Sequence, residues 1–299
     1  MHRLFLTTVK KYKTLILSVT LLAIQNHSLA QVSCIGYSDA EKMGKAPKSM
    51  TELSGLAVSR QHHNLIWAHN DSGDKAKLYG INYRGKIRTK VTVEGIDAID
   101  WEDIALGRCQ HNTNKWCIYI GDIGDNKLRR DHVTVHMIEE PSPNTEKQNV
   151  KVTATMHLKY PNQKHNAEAL IVDKKQNIFV ITKDFLDVFH LYSAPFSQGS
   201  QNLKLEGVVN LSSLPPSTLV TAADYSPEHN RVILRTYASI FEYQLTKNDS
   251  LAKIIDMPWK VLDSVHEPQG EAIAYGPSGY WHLSEGFESK IWYFPCTHN

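Results

Sequence analysis

The chain lacks the sequence marks of the best-known hydrolases and nucleotide enzymes. There is no Gly-x-Ser-x-Gly elbow, no Walker-type phosphate loop, no His-Glu-x-x-His and no Cys-x-x-Cys. Serine-nucleophile hydrolysis and phosphate-loop chemistry therefore have nothing to start from. No run or stripe of basic residues is present either, which argues against nucleic acid and anionic membrane as partners. Long apolar runs are equally scarce. The longest, Leu15 to Ile24, is too short to span a bilayer, which takes ~20 apolar residues. Lys10, Lys11 and Lys13 precede that run and Ser28-Leu29-Ala30 ends it. This is the pattern of a signal peptide over residues 1–30, removed after Ala30 and followed by one domain over 31–299. A retained membrane anchor is the competing view. Gln31 stands where a lipoprotein signal wants Leu, so Cys34 is not read as a lipidation site. Residues 1–30 hold four bases and no acid, so their removal turns the formal +2 of the whole chain into a small excess of acids. An exported protein, periplasmic or secreted and monomeric, is the expectation.

What the chain has is a repeat. Short apolar strands open at Ser54-Gly-Leu-Ala-Val, Glu102-Asp-Ile-Ala-Leu, Glu168-Ala-Leu-Ile-Val, Ala223-Asp-Tyr-Ser-Pro and Glu271-Ala-Ile-Ala-Tyr. These openings are 48, 66, 55 and 48 residues apart, and a repeat of roughly 40–50 residues made of short strands is the signature of a β-propeller. Period-two alternation bounded by Gly, Asn and Asp supports the strand assignments. The first unit reads Leu56–Ser59, Leu65–His69, Leu78–Asn82 and Lys86–Val93. The outer strand of the second is expected over Val150–Leu158 and that of the fourth over Ala252–Met257. The fifth unit has only three strands, so the N-terminus around Val32 to Tyr37 is expected to supply its missing one. The fold class is therefore all-β, a propeller of five blades closed by N- and C-terminal strands. Six blades remain open if the long second unit, or residues 31–51, conceals another.

Four cysteines in an exported chain suggest disulfides. Cys109 and Cys117 flank a turn between two strands of the second unit. Cys34 and Cys296 lie at the ends that ring closure would join. The expected pairs are Cys109–Cys117 and Cys34–Cys296, with free buried thiols as the alternative.

A propeller gathers equivalent positions from every blade around one axis. Strand openings would bring Glu52, Asp100, Glu102, Glu168 and Glu271 to one end of the channel. The loops add Asn70, Asp71, Asp122, Asp125, Lys183, Asp184, Arg235 and Glu285. So many carboxylates repel one another unless a cation or nearby bases neutralise them. Oxygen ligands at this density suit Ca²⁺ before Mg²⁺, with Asp71, Glu102, Asp122, Glu168, Glu271 and Glu285 as the candidate ligands. The competing reading has these acids capping strands or pairing with Lys183, Arg235 and histidines. Asp71-Ser-Gly-Asp74 and Asp122-Ile-Gly-Asp125 share a pattern that aims two carboxylates at one point, or else forms simple Asx-turns. His69, His165 and His282 fall near strand ends, where an imidazole beside carboxylates serves as base, ligand or structural group. The catalytic candidates are His69, His165, Glu168 and Glu271. Trp67, Trp101, Trp281 and Tyr237 form either an aromatic wall for a ligand or blade-to-blade packing.

Seven motifs carry a resemblance: Ser54-Gly-Leu-Ala, His69-Asn-Asp-Ser-Gly-Asp, Asp100-Trp-Glu-Asp-Ile-Ala, Gly121-Asp-Ile-Gly-Asp-Asn, Ala167-Glu-Ala-Leu, Leu234-Arg-Thr-Tyr and Gln269-Gly-Glu-Ala-Ile-Ala. Together they resemble a group of exported bacterial β-propeller proteins, largely uncharacterised. At greater distance the arrangement is similar to propellers labelled esterase-like or phytase-like and to Ca²⁺-dependent lactonases. That likeness implies a metal at the axis and hydrolysis of an ester or phosphoester. It brings no catalytic residue with it, because no catalytic motif aligns. The alternative is a non-catalytic propeller that binds a peptide, glycan or protein partner.

Overall fold

The computed structural model describes residues 34–298 apart from 72, 111, 185–186 and 212–217. The expected signal peptide lies outside the described residues. Beyond it, strands alternate with turns and form five small sheets. Two N-terminal strands, β1 (Gly36–Tyr37) and β2 (Glu41–Lys45), precede the first complete blade. That blade holds β3 (Leu53–Val58), β4 (Ile66–Asn70), β5 (Lys77–Ile81) and β6 (Ile87–Glu94). The second holds β7 (Trp101–Cys109), β8 (Asn112–Asp122) and β9 (Val133–Glu139). Then come β10 (Lys147–Lys151) and β11 (Ala154–Lys159). The third is built from β12 (Ala167–Val172), β13 (Asn177–Thr182), β14 (Val188–Pro195), β15 (Gly199–Asn202) and β16 (Lys204–Asn210). The fourth has β17 (Val220–Ser226), β18 (Arg231–Thr236), β19 (Ile240–Gln244) and β20 (Lys260–Leu262). The fifth has β21 (Gly270–Gly276), β22 (Gly279–Ser284) and β23 (Lys290–Thr297).

The innermost strands β3, β7, β12, β17 and β21 pack in that order, and β21 returns to β3, so the ring is closed. Five blades are present. The long second unit hides no sixth, because β10 leaves its own blade and pairs parallel with β6 of the first. In the same way β15 crosses back to pair parallel with β11. Residues 36–45 complete the last blade instead of forming another. Both β1 and β2 run antiparallel to β23, with Gly36 opposite Thr297 and Glu41 opposite Tyr293. The closing contribution is thus longer than expected and centred further along the chain. A second difference concerns Ala252–Met257. Ser250 accepts a hydrogen bond from the Ala252 amide and starts a 3-10 turn over Leu251–Ile255, so the outer strand forms later, at β20.

The core is divided by the same geometry. Successive side chains on a strand point to opposite faces, and each inner strand feeds two interfaces. Ala169 and Ile171 face the fourth blade while Leu170 and Val172 face the second. Ala57 packs with Ile104 and Trp67, while Leu56 and Val58 pack with Ala272 and Ala274. The remaining interface sets Ala222 and Ile233 against Ile273 and Tyr275. Burial on both faces explains why the inner strands read as unbroken apolar runs. Trp67, Trp101 and Trp281 are all buried, so the packing reading of these aromatics is the one observed.

Both expected disulfides form, Cys34–Cys296 across the closure and Cys109–Cys117 across the β7–β8 turn. The closure is tied further by the Tyr37 hydroxyl, which donates to Glu242 Oε1 at 2.5 Å. Arg231 Nη2 donates to the Cys34 carbonyl at 2.7 Å. Among the described residues, no helix is long and apolar enough to cross a membrane.

Candidate functional site

The same irregularity opens all five innermost strands. Each ladder shifts register by one inserted residue, between Leu53 and Leu56, Trp101 and Asp103, Ala167 and Ala169, Val220 and Ala222, and Gly270 and Ala272. A bulge of this kind bends the strand and re-aims a side chain. The residues at the equivalent place are Ser54, Glu102, Glu168, Thr221 and Glu271, and all are buried. The fourth strand opens at Val220, earlier than the Ala223 read from the sequence, so Thr221 occupies the position given to Ala223. The two neutral members bond the next blade. Ser54 Oγ donates to the Glu102 carbonyl at 2.5 Å, and Thr221 Oγ1 to the Gly270 carbonyl at 2.7 Å.

Three glutamates are left around one mouth of the channel, with a single lysine among them in the described residues. Lys183 Nζ donates to Glu168 Oε2 at 2.6 Å and to the Tyr237 hydroxyl at 2.7 Å. Burial works against the ammonium, but Glu168 more than compensates and raises its pKa. One cation does not neutralise the group. Glu102 lies far above the usual carboxylate range because it is buried beside Glu168, Asp71 and Asp100. Burial, then the charge of Glu168, pushes Glu271 up to about 8. Glu285, desolvated and hydrogen-bonded to Glu52, is pushed up to about 7. Asp100 rises to about 6 by burial and the charge of Asp71.

Within this mouth Asp71, Asp100 and Glu102 form a tight group, each offering an oxygen within 4.8 Å of the others. Glu102 Oε1 is buried and has no hydrogen-bond partner. Gly124 leaves room for the group. A Cβ there would sit 2.2 Å from Glu102 Oε1 and 2.5 Å from Asp100 Oδ2.

Other residues expected at the site do different work. Asp122 accepts from Arg130 Nη1 at 2.6 Å and from the Ile99 amide at 3.0 Å, so its oxygens hold the loop before β7. Asp125 caps the following turn, taking the amides of Arg129 and Arg130 at 2.8 and 2.9 Å. Asp74 accepts from the Lys75 amide, Asn70 and Tyr79. The shared Asp-x-Gly-Asp pattern is in fact out of register, for Asn70, not Asp71, stands where Asp122 does in the ladder. Arg235 is buried and faces Glu267, at 2.5 Å, instead of the axial acids. His282 Nδ1 meets the same Glu267 oxygen at 2.9 Å. His69 is wholly buried, its Nδ1 2.8 Å from the Asn70 carbonyl and its ring edge-on to Trp101. Burial lowers its pKa to about 4 and keeps it neutral. His165 joins Asp184 and His190 in a separate cluster.

One axial residue escaped sequence reasoning. Asp103, next to Glu102, is fully buried and accepts the Ile104 amide at 2.8 Å, the Leu170 amide at 3.0 Å and the Ala223 amide at 3.4 Å. It ties three blades together. Its only sequence signal is an acid inside an apolar strand.

No protein-family model matches the chain, and no curated protein matches it significantly. Solved structures do. The PQQ-bound aldose sugar dehydrogenase of Streptomyces coelicolor is 10% identical, with a TM-score of 0.50, covering 87% of this chain and 98% of that one. The allergen Mala s 1 of Malassezia sympodialis is 11% identical, with a TM-score of 0.52, covering 88% and 96%. At such identity the likeness concerns the fold alone. The chain is a five-bladed β-propeller with an acidic axial mouth.

Proposed function

We propose that the protein is an exported propeller whose axial mouth binds one Ca²⁺ through Asp71, Asp100 and Glu102, with Glu168, Glu271 and Glu285 around them. The carrying observation is the Asp71–Asp100–Glu102 group, in which a buried carboxylate oxygen lacks any hydrogen-bond partner. A desolvated carboxylate without a donor is costly, and a hard divalent cation is the ligand that all-oxygen donors suit. The space beside Gly124 fits the same reading. Two disulfides accord with an oxidising compartment.

The chemistry that the sequence resemblance brings is hydrolysis of an ester or phosphoester. A bound Ca²⁺ supplies Lewis-acid polarisation of a carbonyl or phosphoryl oxygen. The chain's own groups set the rest. Lys183, fixed between Glu168 and Tyr237, supplies a positive charge among the axial acids. Glu271, whose pKa burial and Glu168 raise to about 8 before any cation binds, is the carboxyl placed there to hold or release a proton.

Calorimetric titration of chelator-stripped protein tests the cation. One Ca²⁺ per chain is expected, with binding lost in Glu102→Gln and weakened at least tenfold in Gly124→Ala, both variants remaining folded. Neither heat nor stabilisation on adding Ca²⁺ would discard the site. An ester, lactone and phosphoester panel with and without Ca²⁺ then tests catalysis. Calcium binding without turnover on any substrate would leave a recognition module for a glycan, peptide or protein.

A further inference from the structure

At the same end of the wheel, further from the axis, three side chains of the third blade meet. His165 precedes β12, Asp184 follows β13, and His190 lies on β14. His165 Nδ1 is 3.6 Å from Asp184 Oδ1, and His190 Nδ1 is 2.8 Å from Asp184 Oδ2. The three ligand atoms lie within 4.8 Å of one another. We propose that His165, Asp184 and His190 bind one divalent first-row transition-metal ion, Zn²⁺, at a site separate from the axial mouth.

The Tyr192 hydroxyl donates to Asn162 Oδ1 at 2.9 Å, and a phenol has one proton to give. The hydroxyl oxygen also lies 2.8 Å from His165 Nε2, so in the tautomer that protonates Nε2 this nitrogen donates to Tyr192. In a neutral imidazole this leaves a lone pair on Nδ1. In that tautomer the Nδ1 lone pair faces the Asp184 carboxylate at 3.6 Å, with His165 only 2% exposed. A cation between that lone pair and the carboxylate would meet both, in the place that a proton on Nδ1 would otherwise fill. Asp184 is already oriented by Thr182 Oγ1, which donates to Oδ2 and also accepts the His190 amide at 2.8 Å. Tyr160 closes the apolar side, its ring 5.1 Å from that of His165. Two imidazoles and one carboxylate suit a borderline ion, zinc above calcium, and three protein ligands leave one position open. A ligating histidine whose other nitrogen donates to a fixed acceptor is the usual arrangement at such sites.

The test uses the full chain, stripped with chelator and saturated with Ca²⁺ so that the axial mouth is not in play. Zn²⁺ titrated by calorimetry should bind once per chain, and Co²⁺ in its place should give the visible absorption of a four- or five-coordinate centre. His190→Ala and Asp184→Asn should remove that binding while Ca²⁺ binding persists. Tyr192→Phe, which keeps the ligands and removes the acceptor of Nε2–H, should weaken it about 10–100-fold. Absence of zinc binding, or the same affinity in His190→Ala as in the parent, overturns the proposal. So does nitrogen NMR showing both His165 nitrogens protonated with zinc present, since a proton would then hold the place assigned to the metal.

Discussion

Glu271, like Glu102, is a bulge residue whose burial strengthens its hold on a proton. Its folded pKa stands at about 8 against an ordinary 4.5, so between those values the folded state holds a proton that the unfolded chain releases. Stability then falls as pH rises through that window. Asp100, at about 6, and Glu285, at about 7, act in the same direction over narrower ranges. In chelator, the urea midpoint should therefore decline from about pH 4.5 to about pH 8, and Glu271→Gln should flatten the decline. A midpoint that rises over this range, or one unchanged by the substitution, would contradict this account of the axial mouth. Calcium should stabilise most at the upper end, where the ligands have lost their protons.

At the level of elements, the innermost strands share one feature and differ in another. All five open with a bulge, but only β7 places a second acid directly behind it. The Asp103 carboxylate fastens β7 to β12 and β17 through the Leu170 and Ala223 amides. Asp103→Ala would leave buried amides without acceptors, at about 1–3 kcal/mol each. The expected readout is lower stability, with faster hydrogen exchange at Leu170 than at core amides of β22. Equal exchange at both would mean that Asp103 is not a fastener. The acid's role was invisible along the chain because its partners sit in other blades. The outer strands were harder to read for a related reason. β10 and β15 are polar, and each pairs with a neighbouring blade, so no local alternation marks where they belong.

For the whole molecule the decisive event is closure. A ring of five sheets holds only if the last blade meets the first, and here the N-terminal strands and Cys34–Cys296 secure that seam. In the chain-entropy picture, cross-linking residues 262 apart restricts the unfolded state more than linking residues 8 apart. Replacing Cys34 and Cys296 together by serine should cost about 5 kcal/mol, and replacing Cys109 and Cys117 about 2–3 kcal/mol. Urea unfolding of the two double variants under non-reducing conditions measures the difference. Equal losses would show that the β1–β2 strands close the ring unaided.

Residue order alone pointed to the wheel, to five blades with six left open, and to the disulfide pairs, because blade packing on both faces writes recurring apolar runs and ring closure puts the ends together. It also picked out Glu102, Glu168 and Glu271, since each opens such a run. Only the tertiary structure decided which carboxylates share a space. Asp71 and Asp100 reach Glu102, while Asp122 turns to Arg130, and Arg235 turns to Glu267. Those choices depend on a one-residue register and on neighbours from other blades. Neither is encoded in any local stretch of chain.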